Sequence, residues 1–425
     1  MISSYPATNL NSETGKLQGV IIHRPGLEIE QMTPDMLDKA LFDDILNSRI
    51  ANREYTQFEN ILKKYTSVFY IEQLLLQAFR DNENVNDNLN ARKFLTSEIE
   101  NKTKTKISAT LKKESDENFI KHIIEGFDAW GVTPLYNLYF TRDWAVCFNG
   151  KAVPTAMASS VRFAEALLAE TVFKFHPIFT QSEAFAYPWT DIPATHKRSV
   201  ISWKNNQQKL EGGDFLVESE NVFLIGQGSR TNDKGVLAFI DEKKKTSKNF
   251  YIITQELPLK IASFIHLDMV FTFLSDSECM VYEPLILKDE KYATRLIEVR
   301  NGKITSTLQH DIIAALHKIG KDYKPLLCGG TNERYQQREQ WYSGCNFFAL
   351  ANGKVMGYER NEYTVSQLDK AGYRIVSADE ILSGKQFLDM ENSKEKAIIT
   401  IESSELVRGG GGCRCMTMPF SRADC

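Results

Sequence analysis

Residues 211–226 read EGGDFLVESENVFLIG. An apolar run leads to a polar turn at Glu220-Asn221 and returns through a second apolar run, the pattern of a β-hairpin. In front of it stands an acidic residue, Asp214. The plan recurs at 141–153 (TRDWAVCFNGKAV), 266–282 (HLDMVFTFLSDSECMVY) and 344–358 (GCNFFALANGKVMGY). Each time a polar residue (Asp143, Asp214, Asp268, Asn346) precedes a strand, a turn and a second strand. The other turns are Asn149-Gly150, Ser275-Asp276 and Asn352-Gly353, and helical stretches at 161–170, 232–240, 308–319 and 364–371 separate the hairpins. A degenerate first copy is read at 16–71: the strand KLQGVIIH (16–23) closed by Pro25-Gly26, a helical pattern over 33–65 opened by Thr33 and Pro34, and the strand SVFYI (67–71). Repeated ββαβ modules predict an α/β ring that brings the same edge of each module to a common centre. The polar residues opening the hairpins converge there.

Residues 72–128 break this rhythm. They hold many Asn, Lys and Glu, no Pro, and apolar residues at helical spacing (Leu95, Ile99, Ile107, Leu111, Phe119, Ile123). This predicts a helical domain at 72–128 inserted into a catalytic unit made of 1–71 and 129–425.

Composition narrows the partners. The chain has 425 residues, 42% hydrophobic and 25% charged, with a formal net charge of −4. That balance gives no reason to expect nucleic acid or an anionic membrane. No apolar run approaches the ~18–20 residues of a membrane span. The N-terminus MISSYPATNLNSETGK has neither the basic nor the apolar region of a signal peptide. Seven cysteines without framework spacing read as reduced thiols, and a cytoplasmic location is expected.

The residues expected at the centre are Asp143, Glu211, Asp214, His266, Asp268 and Cys415, the last from the C-terminal RGGGGCRC (408–415). Singly, each has an ordinary reading as a hairpin opener, a turn residue, a strand histidine or a buried thiol. Their joint placement at equivalent points of a repeat gives them weight. Clustered carboxylates need a cation, and the cysteine and histidine spacing does not match a structural zinc site. The alternative is a cationic substrate. A guanidinium is planar and matches carboxylates in forked pairs. A thiolate suits attack on its planar carbon, and His266 supplies proton transfer. The glycine run lets backbone pass close to a substrate and lets the loop move. Cys413 is read as structural, and Cys147, Cys279, Cys328, Cys345 and Cys425 as packed or exposed.

Further stretches join these: SETGKLQGVIIHRPG (12–26), ALFDDI (40–45), NLYFTRD (137–143), KFHPIF (174–179), NGKVMGYERN (352–361) and RCMTMPFSR (414–422). Together the sequence resembles the arginine deiminases of the guanidino-group-modifying (pentein) superfamily. The resemblance implies a five-module ββαβ propeller with an inserted α-helical bundle, and hydrolysis of free L-arginine to citrulline and ammonia without metal or organic cofactor. It implies Cys415 as nucleophile, His266 as acid and base, and Glu211 as partner of His266 and the guanidinium. Asp143 and Asp268 would clamp the guanidinium, with Asp214 beside them. Asn137, Arg162 and Arg230 would hold the α-carboxylate end. Trp144 after TRD and Ser229 before Arg230 depart from the family pattern. In the last loop the earlier carboxylate-binding position is glycine, so Arg414 is expected to reach the carboxylate when the loop closes. Other readings are a hydrolase of agmatine or peptidyl arginine, and a binding protein whose Cys-x-Cys and carboxylates hold a metal. Arg162 and Arg230 speak against agmatine, which has no carboxylate. A homo-oligomer, dimer or tetramer, is expected.

Overall fold

The computed structural model describes residues 8–81, 90–103, 106–126, 133–180, 208–392 and 394–424. The expected boundary at 128/129 and Cys425 lie outside the described residues. Strands form five sheets. In the third, Phe215–Ser219 and Val222–Gln227 make the antiparallel hairpin read from 211–226, the helix Asp233–Lys243 follows, and Asn249–Glu256 returns parallel to the second strand. The fourth repeats this with Phe271–Phe273, Glu278–Val281, the helix Ile312–Lys318 and Lys324–Leu327. The fifth has Phe348–Ala351, Lys354–Tyr358 and the helix Glu362–Lys370. Two parallel strands then follow, Arg374–Ser377 and Ala397–Ile401, the latter against Lys354–Tyr358. The second shows the hairpin Ala145–Phe148/Lys151–Pro154 and the helix Phe163–Phe175.

The degenerate first module is completed by the other end of the chain. Leu17–Ile22 pairs parallel with Ser67–Tyr70 across the helix Ser48–Tyr65, and antiparallel with Met418–Arg422. Its hairpin partner is the C-terminal strand, which explains why a single hairpin is missing from the early sequence. Phe420 anchors this closure. It is fully buried, with ring centroids of Phe69 and Phe179 at 5.3 and 5.4 Å.

The helical pattern over 33–65 is interrupted. A 3₁₀ turn at Pro34–Met36 and one turn at Leu37–Ala40 end at Leu41, whose φ is +66°. The long helix starts only after Asn47, whose side chain accepts from the Ile50 N–H. The cap and the left-handed break release ALFDDI from the helix as a loop. Within 72–128 the structure has the helices Ala91–Thr103 and Asp116–Glu125, preceded by Ile71–Asp81. Their apolar faces (Leu75, Leu95, Phe119, Ile123) and Phe163–Phe175 belong to one buried cluster that also takes in the second and third sheets. Among the described residues no helix is long and apolar enough to cross a membrane.

The turns that open the hairpins are linked in a cycle. The Gly212 N–H donates to the Asp143 carbonyl at 3.1 Å. The Leu267 N–H donates to Asp214 Oδ1 at 2.9 Å, and Asn346 Nδ2 to the Asp268 carbonyl at 3.2 Å. The N–H groups of Arg414 and Cys415 both donate to Asn346 Oδ1, and the Arg142 N–H closes the cycle on the Cys415 carbonyl at 3.0 Å.

Truncating Phe420 to Ala removes the ring that joins the C-terminal strand to the first module. Buried Phe→Ala changes cost about 3–5 kcal/mol. Phe420→Ala should therefore lower the denaturant midpoint markedly, and an unchanged midpoint would show that the closure bears little of the stability.

Candidate active site

A cleft of about 900 Å³ opens at this cycle, and Asn137, Asp143, Arg162, Arg230, His266 and Cys415 all line it. One lip is the released loop at Leu41–Asp44, the other the glycine loop at Val407–Gly411. The loop needs its glycines for contact. A Cβ on Gly409 would lie 2.0 Å from the Tyr139 hydroxyl, on Gly411 2.4 Å from the Phe140 ring, and on Gly412 2.7 Å from Asn346 Cβ. Gly410 has a φ of +83°, the left-handed region that favours glycine.

This seats Cys415 in the wall of the cleft, 4% exposed, with Sγ 3.9 Å from Asp268 Oδ2. Burial, reinforced by Asp268 and Asp143, pushes its thiol well above the usual range, so it rests protonated. Cys413 is buried in an apolar cluster and does not line the cleft.

His266 lies between two carboxylates. Its Nε2 is 2.8 Å from Glu211 Oε2 and its Nδ1 3.5 Å from Asp143 Oδ1. Burial works against its charge, but Asp143, the Glu211 hydrogen bond and Asp214 outweigh it and raise its pKa to about 9. At neutral pH it is an imidazolium. Burial would raise the Glu211 carboxyl, yet Arg230 and His266 hold it down at about 2. The close approach of His266 depends on Gly213, where a Cβ would stand 2.5 Å from Nδ1.

Each candidate clamp carboxylate is half neutralised from within. Asp143 Oδ2 takes Arg162 Nη1 at 2.6 Å, and Asp268 Oδ2 takes Arg414 Nη1 at 2.8 Å. In both, the remaining oxygen, Oδ1, is buried with no hydrogen-bond partner among the described residues. An unsatisfied buried acceptor costs about 1–3 kcal/mol, so a ligand bearing N–H donors and positive charge would relieve both.

Three expectations need correction. Arg414 does not point to the cleft. It is 1% exposed, and Glu13 Oε1 and Oε2 (2.9 and 3.1 Å), Asp268 and the Phe215 carbonyl take up its guanidinium. Two buried carboxylates outcompete a distant third for the same charge. Arg162 lines the cleft, but its guanidinium is held by Asp143, by Glu165 Oε2 at 2.8 Å, and by the carbonyls of Asn137 and Phe140, so it is not poised for a carboxylate ligand. Asp214, like Glu211 and Asp268, is fully buried outside the cleft lining. Its Oδ1 accepts from Leu267, and burial raises its carboxyl to about 7. The Asn137 side chain donates to the Ala40 carbonyl at 2.7 Å and so holds the first lip. Arg230 is different: its Nη1 stands 3.8 Å from Glu211 without a hydrogen-bond partner among the described residues.

Glu13, Glu165 and Asn346 take part in the site's framework, although the sequence did not single them out for it. Asn346 was visible only as a hairpin opener. Glu13 and Glu165 carried no local pattern. Asp143, Glu211 and His266 offer ligand atoms within 4.8 Å of one another. Metal binding needs a neutral imidazole nitrogen, whereas both nitrogens of His266 face carboxylates that favour its cation. Neither cysteine of the Cys-x-Cys belongs to that group, so the metal-holding alternative gains no support among the described residues.

Removing Arg414 would leave Glu13 and Asp268 buried without their counterion, a loss of about 3–5 kcal/mol in comparable cases. Arg414→Ala should therefore destabilise the protein strongly in denaturant unfolding. Wild-type stability in this variant would return Arg414 to a role at the cleft.

The sequence model of the arginine deiminase family matches residues 126–422. The chain is 31% identical to the arginine deiminase of Listeria monocytogenes serotype 4a, across 98% of both chains. It is also 31% identical to that of Mycoplasma capricolum subsp. capricolum, across 98% of this chain and 97% of the relative. Among solved structures it is similar to SxtG, an amidinotransferase from Microseira wollei (TM-score 0.54, 15% identity, 98% of both chains). It is also similar to DDAH from Pseudomonas aeruginosa complexed with citrulline (TM-score 0.50, 14% identity, 95% of this chain and 100% of that one). These structural likenesses show the α/β fold alone. With its family model and its full-length relatives, the chain belongs to the arginine deiminase family.

Proposed function

We propose that this protein hydrolyses the guanidinium group of free L-arginine to L-citrulline and ammonia. The observation that supports this best is a pair of buried carboxylate oxygens without a hydrogen bond among the described residues: Asp143 Oδ1, in the cleft lining beside the His266 imidazolium, and Asp268 Oδ1, beneath the lining, whose partner oxygen lies 3.9 Å from the Cys415 thiol. A guanidinium has the charge and the planar donors for both carboxylates. Its arrival neutralises the two charges that, after burial, hold the Cys415 thiol up, which favours the thiolate.

As the cation binds, the Cys415 thiol gives its proton to solvent, and the thiolate attacks the guanidinium carbon and forms a C–S bond. His266 gives its proton to one nitrogen, the C–N bond breaks, and ammonia leaves. A covalent thiouronium on Cys415 remains. The neutral His266 then takes a proton from water, whose oxygen attacks the same carbon. The C–S bond breaks, the departing sulfur takes the proton of the new hydroxyl and is restored as the thiol, and the ureido group of citrulline is released. Glu211 orients the imidazole and stabilises its cation throughout. Arg230 is the lining cation suited to the α-carboxylate; Lys260 and Arg360 also line the cleft, whereas Arg408 is taken up by Asp44 and Glu405. This arrangement favours free arginine over agmatine.

The direct test measures citrulline and ammonia from L-arginine, agmatine and a peptidyl arginine. A charge-assisted contact is worth about 1.5–3 kcal/mol, so arginine should exceed agmatine by roughly one to two decades in kcat/KM. Equal rates would remove the carboxylate from the reading. Cys415→Ala should abolish turnover while Cys413→Ala retains most of it, and a mass-spectrometric adduct on Cys413 would overturn the assignment.

A second prediction follows from His266. The imidazolium must be present to protonate ammonia, so kcat/KM should fall as pH rises through about 9. In Glu211→Gln one of the groups raising that pKa is gone, while burial still pushes it down. The alkaline limb should then move to lower pH, and an unmoved limb would assign it to another group.

A further inference from the structure

A second cavity, of about 300 Å³, lies where the first module meets the inserted helices. It shares no lining residue with the cleft at Cys415. Its walls come from the loop after the strand Leu17–Ile22 and from the helices Ile71–Asp81 and Asp116–Glu125. Helical spacing puts Ile120 and Ile124 on one face of the last helix. Both are 4% exposed and belong to the buried cluster against which Leu76 packs, so the three make an apolar floor.

Beside that floor stands a buried set of charges that lacks one cation. His23 Nε2 is 3.2 Å from Glu28 Oε1, and its Nδ1 is hydrogen-bonded to Glu72. Burial works against the charge of His23, but Glu72 and Glu28 outweigh it and raise its pKa to about 10, so it is an imidazolium at neutral pH. Two other lining groups are engaged elsewhere, Arg24 by Glu59 and Glu117 by Arg80. That leaves Glu28, Glu72 and Glu125 against His23 and Lys121, whose Nζ is 3.9 Å from Glu125. Burial, with Glu28 beside it, raises the Glu125 carboxyl, as a shortage of positive charge would.

We propose that this cavity binds a small organic cation, an ammonium group on a compact apolar body. The ammonium supplies the missing charge and donates to the carboxylates, and the body covers Leu76, Ile120 and Ile124. A mostly apolar wall with a few convergent polar groups is the common build of a small-molecule site. An anion would add to the excess of negative charge, and a neutral ligand would leave it in place. A bare metal ion does not suit the site either. Among the described residues these carboxylates form no group able to hold one, and an imidazolium cannot be a ligand. Because its walls come from both units, the bound cation would join the inserted helices to the first module, which gives the insertion a role besides packing.

The test is calorimetric titration of the intact chain at neutral pH with benzylammonium, and with benzyl alcohol and benzoate as its neutral and anionic counterparts. Benzylammonium should bind at least about tenfold more tightly than either, the worth of one charge-assisted contact. Leu76→Trp fills the apolar floor, and Gln73→Lys sets a like charge at an exposed position of the wall. Each should weaken benzylammonium about tenfold. Gln73→Lys should keep the parent's unliganded thermal midpoint, so its loss of binding is not a loss of fold. A parent that binds none of the three probes, or all three equally, overturns the proposal. So does benzylammonium that binds both variants as it binds the parent, since the probe would then sit at the carboxylates of the Cys415 cleft.

Discussion

Five turns hydrogen-bonded in a closed cycle are the constraint on which the rest of the site depends. Each hairpin must begin beside the next; a polar residue makes four of the joins, and the Cys415 carbonyl, accepting from the Arg142 N–H, makes the fifth. Asp143 and Asp268 use their carbonyls, while Asp214 and Asn346 use side-chain oxygens. Asn346 does more than its counterparts. One amide oxygen accepts from two successive N–H groups, those of Arg414 and Cys415, while its nitrogen donates to Asp268. An aspartate could make the first two bonds but not the third. The module without an acidic opener is therefore the one that must orient the thiol-bearing loop and the carboxylate beside it at once.

The same crowding creates an electrostatic problem that the protein solves only in part. Glu13, Asp143, Glu165, Glu211, Asp214 and Asp268 are all buried near one another, and Arg162, Arg414 and Arg142 are buried among them. Arg142 sits beside Arg414, and burial together with that like charge lowers its pKa to about 9. Buried ion pairs of this kind contribute little net stability, because desolvation offsets the attraction. What they do here is fix geometry. Arg162 and Arg414 each bind one oxygen of a carboxylate and leave the other without a hydrogen bond among the described residues, so each aspartate is oriented and still one hydrogen bond short.

How much of this was legible in the sequence can be argued from particular residues. The hairpins, their turns and the helices between them followed from alternation and Asn-Gly signals, which are local. Glu211, His266, Asp143 and Cys415 were legible because the repeat puts them at equivalent points. The helix over 33–65 was misread because its apolar spacing continues through Leu41 and Ile45, whereas Asn47 caps a new start and Leu41 turns left-handed. The partners of Arg162 and Arg414 were not legible for a different reason. Glu165 is only three residues from Arg162, but nothing local marks it as the partner, and Glu13 is some four hundred positions from Arg414. An arginine in sequence shows its charge but not which carboxylate burial will force on it. The corrected picture removes the carboxylate sensor from the loop and makes Arg414 part of the floor.

The protonation states then follow from one another. A buried thiol next to Asp268 and Asp143 stays protonated, and an imidazole between Asp143 and Glu211 stays charged. Neither state alone is ready for attack: the nucleophile holds its proton and the acid is already loaded. The shared cause is the negative charge of Asp143, which raises both groups. A cation bound at Asp143 Oδ1 and Asp268 Oδ1 would act on both groups: it would cancel Asp268 and Asp143 for the thiol, and Asp143 alone for the imidazolium, which the Glu211 hydrogen bond and Asp214 would still support. In the proposed reading, binding a guanidinium would thereby favour the thiolate more than it discharges the imidazole. It does so only for a ligand that carries positive charge at the depth of those two oxygens. A neutral isostere could fit the same cleft and still leave the thiol protonated, so the chemistry is selected by charge before it is selected by shape.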